Sequence, residues 1–154
     1  MDAPTLRVLL VDDDEDDRQL IRLALTDTIK SIIIEEMSSG QELVAWLDNQ
    51  RSLKAGGSND DRTCQTIILL DMHMPELSGL ETLKALGNMS DLAYMPVVML
   101  TASVNEALKQ QAYQQGIHLY MVKPGQYRGF YRVVEAVKLC YRDAQRMRDQ
   151  IGMQ

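Results

Sequence analysis

The chain has 154 residues, 45% of them apolar and 25% charged, and a formal net charge of −6. That length suits one domain with a real core, and the acidic balance excludes the basic surface a nucleic-acid binder would need. No apolar run approaches the roughly 20 residues that span a bilayer, and the N-terminus lacks a signal-peptide pattern, so a cytoplasmic protein without membrane attachment is expected.

The first buried strand is Leu6 to Val11 (LRVLLV), which ends in six consecutive acids, Asp12 to Asp17. Such a run usually lies on a solvated surface, and its acids also suit the positive end of a helix dipole. A helix follows, with the apolar pairs Leu20/Ala24 and Ile21/Leu25 at helical spacing. Asp12 and Asp13 stand apart from the other acids because they sit where the strand ends.

Ser31 to Met37 (SIIIEEM) is the second strand, and Ser39-Gly40-Gln41-Glu42 then matches the S-x-x-E capping box of a helix carrying Leu43 and Leu47. Arg51 to Gln65 reads as a long polar surface connection. The central strand, Ile67 to Leu70, is four large apolar residues in a row, the pattern of a strand covered on both faces. It stops at Asp71, and Pro75 and Gly79 turn the chain into a second S-x-x-E box, Ser78 to Glu81. The helix it opens carries Leu80, Leu83 and Leu86 on one face.

Pro96 to Leu100 forms a fourth strand ending in Thr101, and Ser103-Val104-Asn105-Glu106 reads as a third capping box with Ser103 as the cap. Gly116 ends the next helix. His118 to Val122 is the fifth strand, followed by Lys123-Pro124. The last helix places Phe130, Val134, Val137 and Tyr141 on one face and is expected to reach Met147 or beyond. Cys64 and Cys140 have no metal-ligand spacing with each other or with His73 and His118 and read as ordinary thiols. Five strands alternating with five helices predict an α/β domain, a doubly wound parallel sheet with helices on both faces.

In a parallel sheet the polar residues that end the strands gather at one edge, where ligands bind. Here they are Asp12-Asp13, Asp71, Thr101 and Lys123. Two carboxylates about 4 Å apart repel by roughly 4 kcal/mol at an effective dielectric near 20. Converging acids therefore call for a proton or a cation. Oxygen donors without a His/Cys pattern favour Mg²⁺. Mg²⁺ beside a carboxylate, an ammonium and a hydroxyl makes a phosphoryl site, with Asp71 as the candidate nucleophile. Read singly, Thr101 is a strand-end residue, Lys123 a solvated lysine and Asp12 or Asp13 a helix cap. Only the set is specific.

At these residues the sequence resembles the receiver domain of a two-component response regulator. The match rests on VDD at 11–13, LDMHMP at 70–75 with Gly79, LTAS at 100–103 and VKP at 122–124, and it spans residues 5–143, leaving 144–154 as a helix extension or tail without an output domain. The resemblance implies a flavodoxin-like sheet of order 2-1-3-4-5. It implies that Asp71 accepts a phosphoryl group from a sensor histidine kinase or phosphotransfer protein. Mg²⁺ would be held by Asp12, Asp13, Asp71 and the backbone carbonyl of His73. Thr101 and Lys123 would contact the phosphoryl oxygens, with Thr101 and Tyr120 as the switch pair. The alternative for Tyr120 is an outward-facing residue on an edge strand.

Two departures stand out: Gly125 after Lys-Pro, where the family often has a large apolar residue, and His73 beside the site, read as exposed and acting through its carbonyl. Arg51–Gln65 and Asn88–Met95 further resemble stand-alone regulators paired with phytochrome-type sensor kinases. The expected output is a phosphorylation-dependent contact with a downstream protein whose identity the sequence does not carry, and the last helix would also suit a homodimer face. Two other readings compete. A haloacid-dehalogenase-type phosphatase would carry a second acid at the position His73 occupies, and a degenerate scaffold would lack some of the key residue types present here.

Overall fold

The computed structural model describes residues 5–55, 64–87 and 95–152. In chain order these form β1 (Thr5–Val11), α1 (Glu15–Thr28), β2 (Ile32–Met37), α2 (Gly40–Ala55), β3 (Cys64–Asp71), α3 (Gly79–Leu86), β4 (Val97–Thr101), α4 (Glu106–Gln114), β5 (Leu119–Val122) and α5 (Tyr131–Gly152), the last entered through a 3-10 turn at Tyr127–Phe130. All five strands are parallel, in the order β2-β1-β3-β4-β5.

The unbroken apolar run of the central strand follows from this position. Ile67 and Leu69 face α1 and α5, where they pack with Ile21, Leu25, Val134 and Val137. Ile68 and Leu70 face the opposite layer, with Leu43, Leu47, Leu83 and Leu86 of α2 and α3. Each of these four strand residues is fully buried, so both faces of β3 are apolar along this run. Burying one such side chain contributes roughly 1.5–3 kcal/mol. The strand assembly is therefore stiff where it carries Asp71.

Helix starts follow the sequence with one correction. Ser78 caps α3 in a complete box: its hydroxyl accepts from the Glu81 amide, and the Glu81 carboxylate accepts from the Ser78 amide. Ser39 likewise accepts from the Glu42 amide, while the Glu42 side chain turns back to Ser38. At α4 the cap is Asn105, whose side chain accepts from the Leu108 amide. Ser103 is not the cap, because its backbone is engaged by the Thr101 hydroxyl. Gly116, at φ +99°, ends α4 in the left-handed conformation that glycine adopts without steric cost. The polar connection expected at 51–65 is shorter at both ends, since α2 runs to Ala55 and β3 begins at Cys64. Its interior, and most of 88–95, lie outside the described residues. Cys64 is half-buried and Cys140 buried, neither in a disulfide, and burial pushes the Cys140 thiol up to about 12.

Candidate functional site

Register places the strand ends on one level. Val11 pairs with Leu70, so Asp12 is level with Asp71. Asp71 pairs with Leu100, and Thr101 with Val122, which puts Thr101 one step and Lys123 two steps further along the same edge. The backbone continues this pattern past the strands: the Asp12 amide donates to Met37 O (3.0 Å), Met72 to Leu100 O (2.8 Å) and Lys123 to Thr101 O (2.7 Å).

The turn after β3 folds tightly back on the strand end that carries Asp71. Glu76 takes a positive φ of 69°, and the Gly79 amide donates to Met72 O at 2.8 Å, closing the loop. A Cβ on Gly79 would stand 2.5 Å from the Asp71 carbonyl oxygen, so the close return requires glycine. The His73 amide points at Asp71 Oδ1 at 3.4 Å, while the imidazole is exposed.

Carboxylate oxygens of Asp12, Asp13 and Asp71 lie within 4.8 Å of one another. Asp12 and Asp71 are buried, at 1% and 4% exposure, and Asp13 faces solvent. The Lys123 ammonium lies 2.7 Å from Asp12 Oδ2, 2.9 Å from Asp17 Oδ2 and 3.4 Å from Asp71 Oδ1. Its aligned hydrogen bond goes to Asp17. The approach to Asp12 is short but off the favoured hydrogen-bond direction.

Burial, and then the neighbouring Asp12 charge, push the Asp71 carboxyl up to about 7, against the opposing pull of Lys123 and the His73 amide. Burial alone would lower the Lys123 ammonium; the close Asp12 and Asp17 carboxylates outweigh it and raise Lys123 above its ordinary value. The metal-free site thus holds a permanently charged ammonium beside a carboxyl group that titrates near neutrality.

Thr101 is fully buried, and its hydroxyl is turned toward Ser103, donating to the Ser103 carbonyl at 2.9 Å. Tyr120 packs against the core layer beneath α2, α3 and α4, and its hydroxyl is buried without a hydrogen-bond partner among the described residues. Its amide is capped by the Tyr113 hydroxyl at 3.2 Å. The outward-facing alternative for Tyr120 is therefore not what the structure adopts.

Two members of the acid run hold positions that spacing along the strands does not single out. Asp14, rather than Asp12 or Asp13, caps α1 and accepts from the amides of Asp16 and Asp17. Asp17 meets Lys123. The available signal was the position of Asp17, three residues past the cap, on the first turn of a helix that starts at the site edge.

The profile described as response regulator receiver domain matches residues 8–135. Response regulator Rcp1 of Synechocystis is 29% identical over 136 residues, covering 88% of each chain. The probable methanogenesis regulatory protein FilR2 of Methanothrix harundinacea is 30% identical over 131 residues, 85% of this chain and 80% of that one. Among solved structures, the phosphorylated cyanobacterial phytochrome response regulator RcpA superposes with a TM-score of 0.70 at 27% identity, over 87% of this chain and 91% of that one.

Proposed function

The chain belongs to the response regulator receiver domain family, and from that premise we propose that it is a single-domain regulator of a two-component phosphorelay, with Asp71 as its phosphoacceptor. The observation that carries this reading is the convergence of Asp12, Asp13 and Asp71 with Lys123 at the carboxyl edge of the sheet. In the proposed step an Asp71 carboxylate oxygen attacks the phosphorus of a phosphohistidine. The P–N bond breaks, and the imidazole leaves on the sensor kinase or phosphotransfer protein.

The donor set fits Mg²⁺. All three side chains offer hard oxygen ligands, and the exposed Asp13 leaves the open side on which Mg²⁺ keeps its waters. Asp12, Asp13, Asp71 and the His73 carbonyl would hold it. When bound, the ion neutralises phosphoryl oxygens and favours ionised carboxylates. Lys123 supplies the second positive charge, and Thr101, on turning from Ser103, supplies a hydroxyl donor. Tyr120 is assigned as the switch aromatic that accompanies Thr101. The near-full-length match to Rcp1 supports a stand-alone unit comprising residues 5–143, with α5 running on unbroken to Gly152. Receiver domains are signalling domains, and the only chemistry assigned here is the gain and loss of the domain's own phosphoryl group. A cytoplasmic location, a phytochrome-type sensor kinase, a downstream protein target and a homodimer belong to the same reading.

The test is intact-protein mass after incubation with acetyl phosphate, with and without Mg²⁺. One Mg²⁺-dependent phosphoryl adduct is expected, absent from Asp71→Asn. A variant that still labels fully would remove Asp71 from the role.

A further inference from the structure

Lys123 has three carboxylate neighbours, and its best-formed bond goes to the one outside the metal-ligand set. Asp17 Oδ2 accepts from the ammonium at 2.9 Å, against 3.4 Å to Asp71, while Asp12 Oδ2 is nearer at 2.7 Å but off the hydrogen-bond direction. Asp17 is held for this contact. Asp14 fixes the first turn of α1 through the amides of Asp16 and Asp17. One residue on, Arg18 donates to the Asp12 carbonyl at 2.6 Å and to Glu36 at 3.2 Å, which ties the same turn to β1 and β2. The lysine is equally confined, with its side chain only 14% exposed.

We propose that Asp17 is a positioning residue that holds Lys123 back from the phosphoryl position. This rests on the receiver reading above. A phosphoryl group on Asp71 brings anionic oxygens that the ammonium must contact, and to do so it must give up or stretch its bond to Asp17. The Asp17 carboxylate therefore competes with the phosphoryl group for one cation. The competition sets how tightly the site holds a phosphoryl group or its analogue.

The experiment is calorimetric titration of the full chain with beryllofluoride in saturating Mg²⁺. Asp17→Asn, which removes the charge and keeps the shape, should bind the analogue about three- to tenfold more tightly, the scale of a partly exposed ion pair. Asp17→Ala should do the same, so a folding defect in one variant does not decide the outcome. Loss of charge anywhere nearby would also favour an anion, and two controls separate that effect. Asp16→Asn, on the same turn but without a Lys123 contact, should change affinity much less. In a Lys123→Gln background, Asp17→Asn should have no further effect.

Equal affinity of wild type and Asp17→Asn, an equal gain from Asp16→Asn, or a gain that persists without Lys123 would each overturn the proposal. If wild type binds no analogue while Mg²⁺ still binds, the receiver reading fails and this inference falls with it.

Discussion

Replacing Asp71 by Asn should make the metal-free protein more stable, and the gain should grow with pH. The carboxyl group ionises at the ordinary value of 3.8 in the unfolded chain and at about 7 in the folded one, chiefly because of burial and the Asp12 charge. The native state therefore holds the proton more tightly. The stability this confers is complete below about pH 4 and is lost as pH rises to about 7. The difference of about three pH units corresponds to a ceiling of about 4 kcal/mol at 1.36 kcal/mol per unit. Water reaching the site past the exposed Asp13 screens part of that, so about 2 kcal/mol is expected at pH 8. For a domain of this size that is roughly 5 °C in melting temperature. Lys123 keeps Asp12 and Asp17 as partners in the variant, so no unpaired buried cation offsets the gain. The assay is urea and thermal unfolding of both proteins in chelator at pH 5 and pH 8. The gap should be small at pH 5, where roughly a third of the loss has accrued, and full at pH 8, and Mg²⁺ should narrow it by stabilising wild type alone. Parallel curves at both pH values, or a less stable variant at pH 8, would refute the electrostatic account of the site.

Tyr120→Phe removes a buried hydroxyl that has no partner among the described residues, so it should raise stability by about 1 kcal/mol in urea unfolding; an equal loss would mean the hydroxyl is satisfied. Gly79→Ala puts a methyl group 2.5 Å from the Asp71 carbonyl oxygen; a loss of about 1–3 kcal/mol is expected, together with slower acetyl phosphate labelling from the displaced Asp71 turn. Asn105→Ala should cost about 1 kcal/mol through the lost α4 cap, whereas Ser103→Ala should be nearly neutral because only its backbone is engaged. Equal losses in that last pair would restore Ser103 as a cap.

The fold was legible because periodicity and burial agree on each element. Four apolar residues in a row at Ile67–Leu70 mean a strand covered on both faces, and the two packed layers on either side of β3 are its physical cause. Strand order was not legible from pattern, since an apolar run marks a strand without naming its neighbours. It came from resemblance, and the pairing of β1 with both β2 and β3 bears it out. The Ser103 error has a local reason. Two capping residues compete two positions apart, and the sequence does not show that the Thr101 hydroxyl will occupy the Ser103 backbone.

The acid run Asp12–Asp17 shows why the site was only partly legible. Six residues of one chemical class carry almost no sequence contrast, yet the structure gives them separate tasks. Asp12 is buried at a strand end, and Asp13 faces solvent beside it. Asp14 turns its carboxylate onto the α1 amides, and only then does the helix geometry decide which later acid points back at the edge. From a cap at position 14, residue 17 lies nearly one turn on, and its carboxylate reaches Lys123, just past a strand more than a hundred positions away in sequence. A cap at Asp13 would shift the helix start by one residue, rotating each side chain by about 100° relative to the edge and carrying Asp17 away from Lys123. The helix start set by Asp14 thus decides whether Lys123 has Asp17 as a partner beside Asp12.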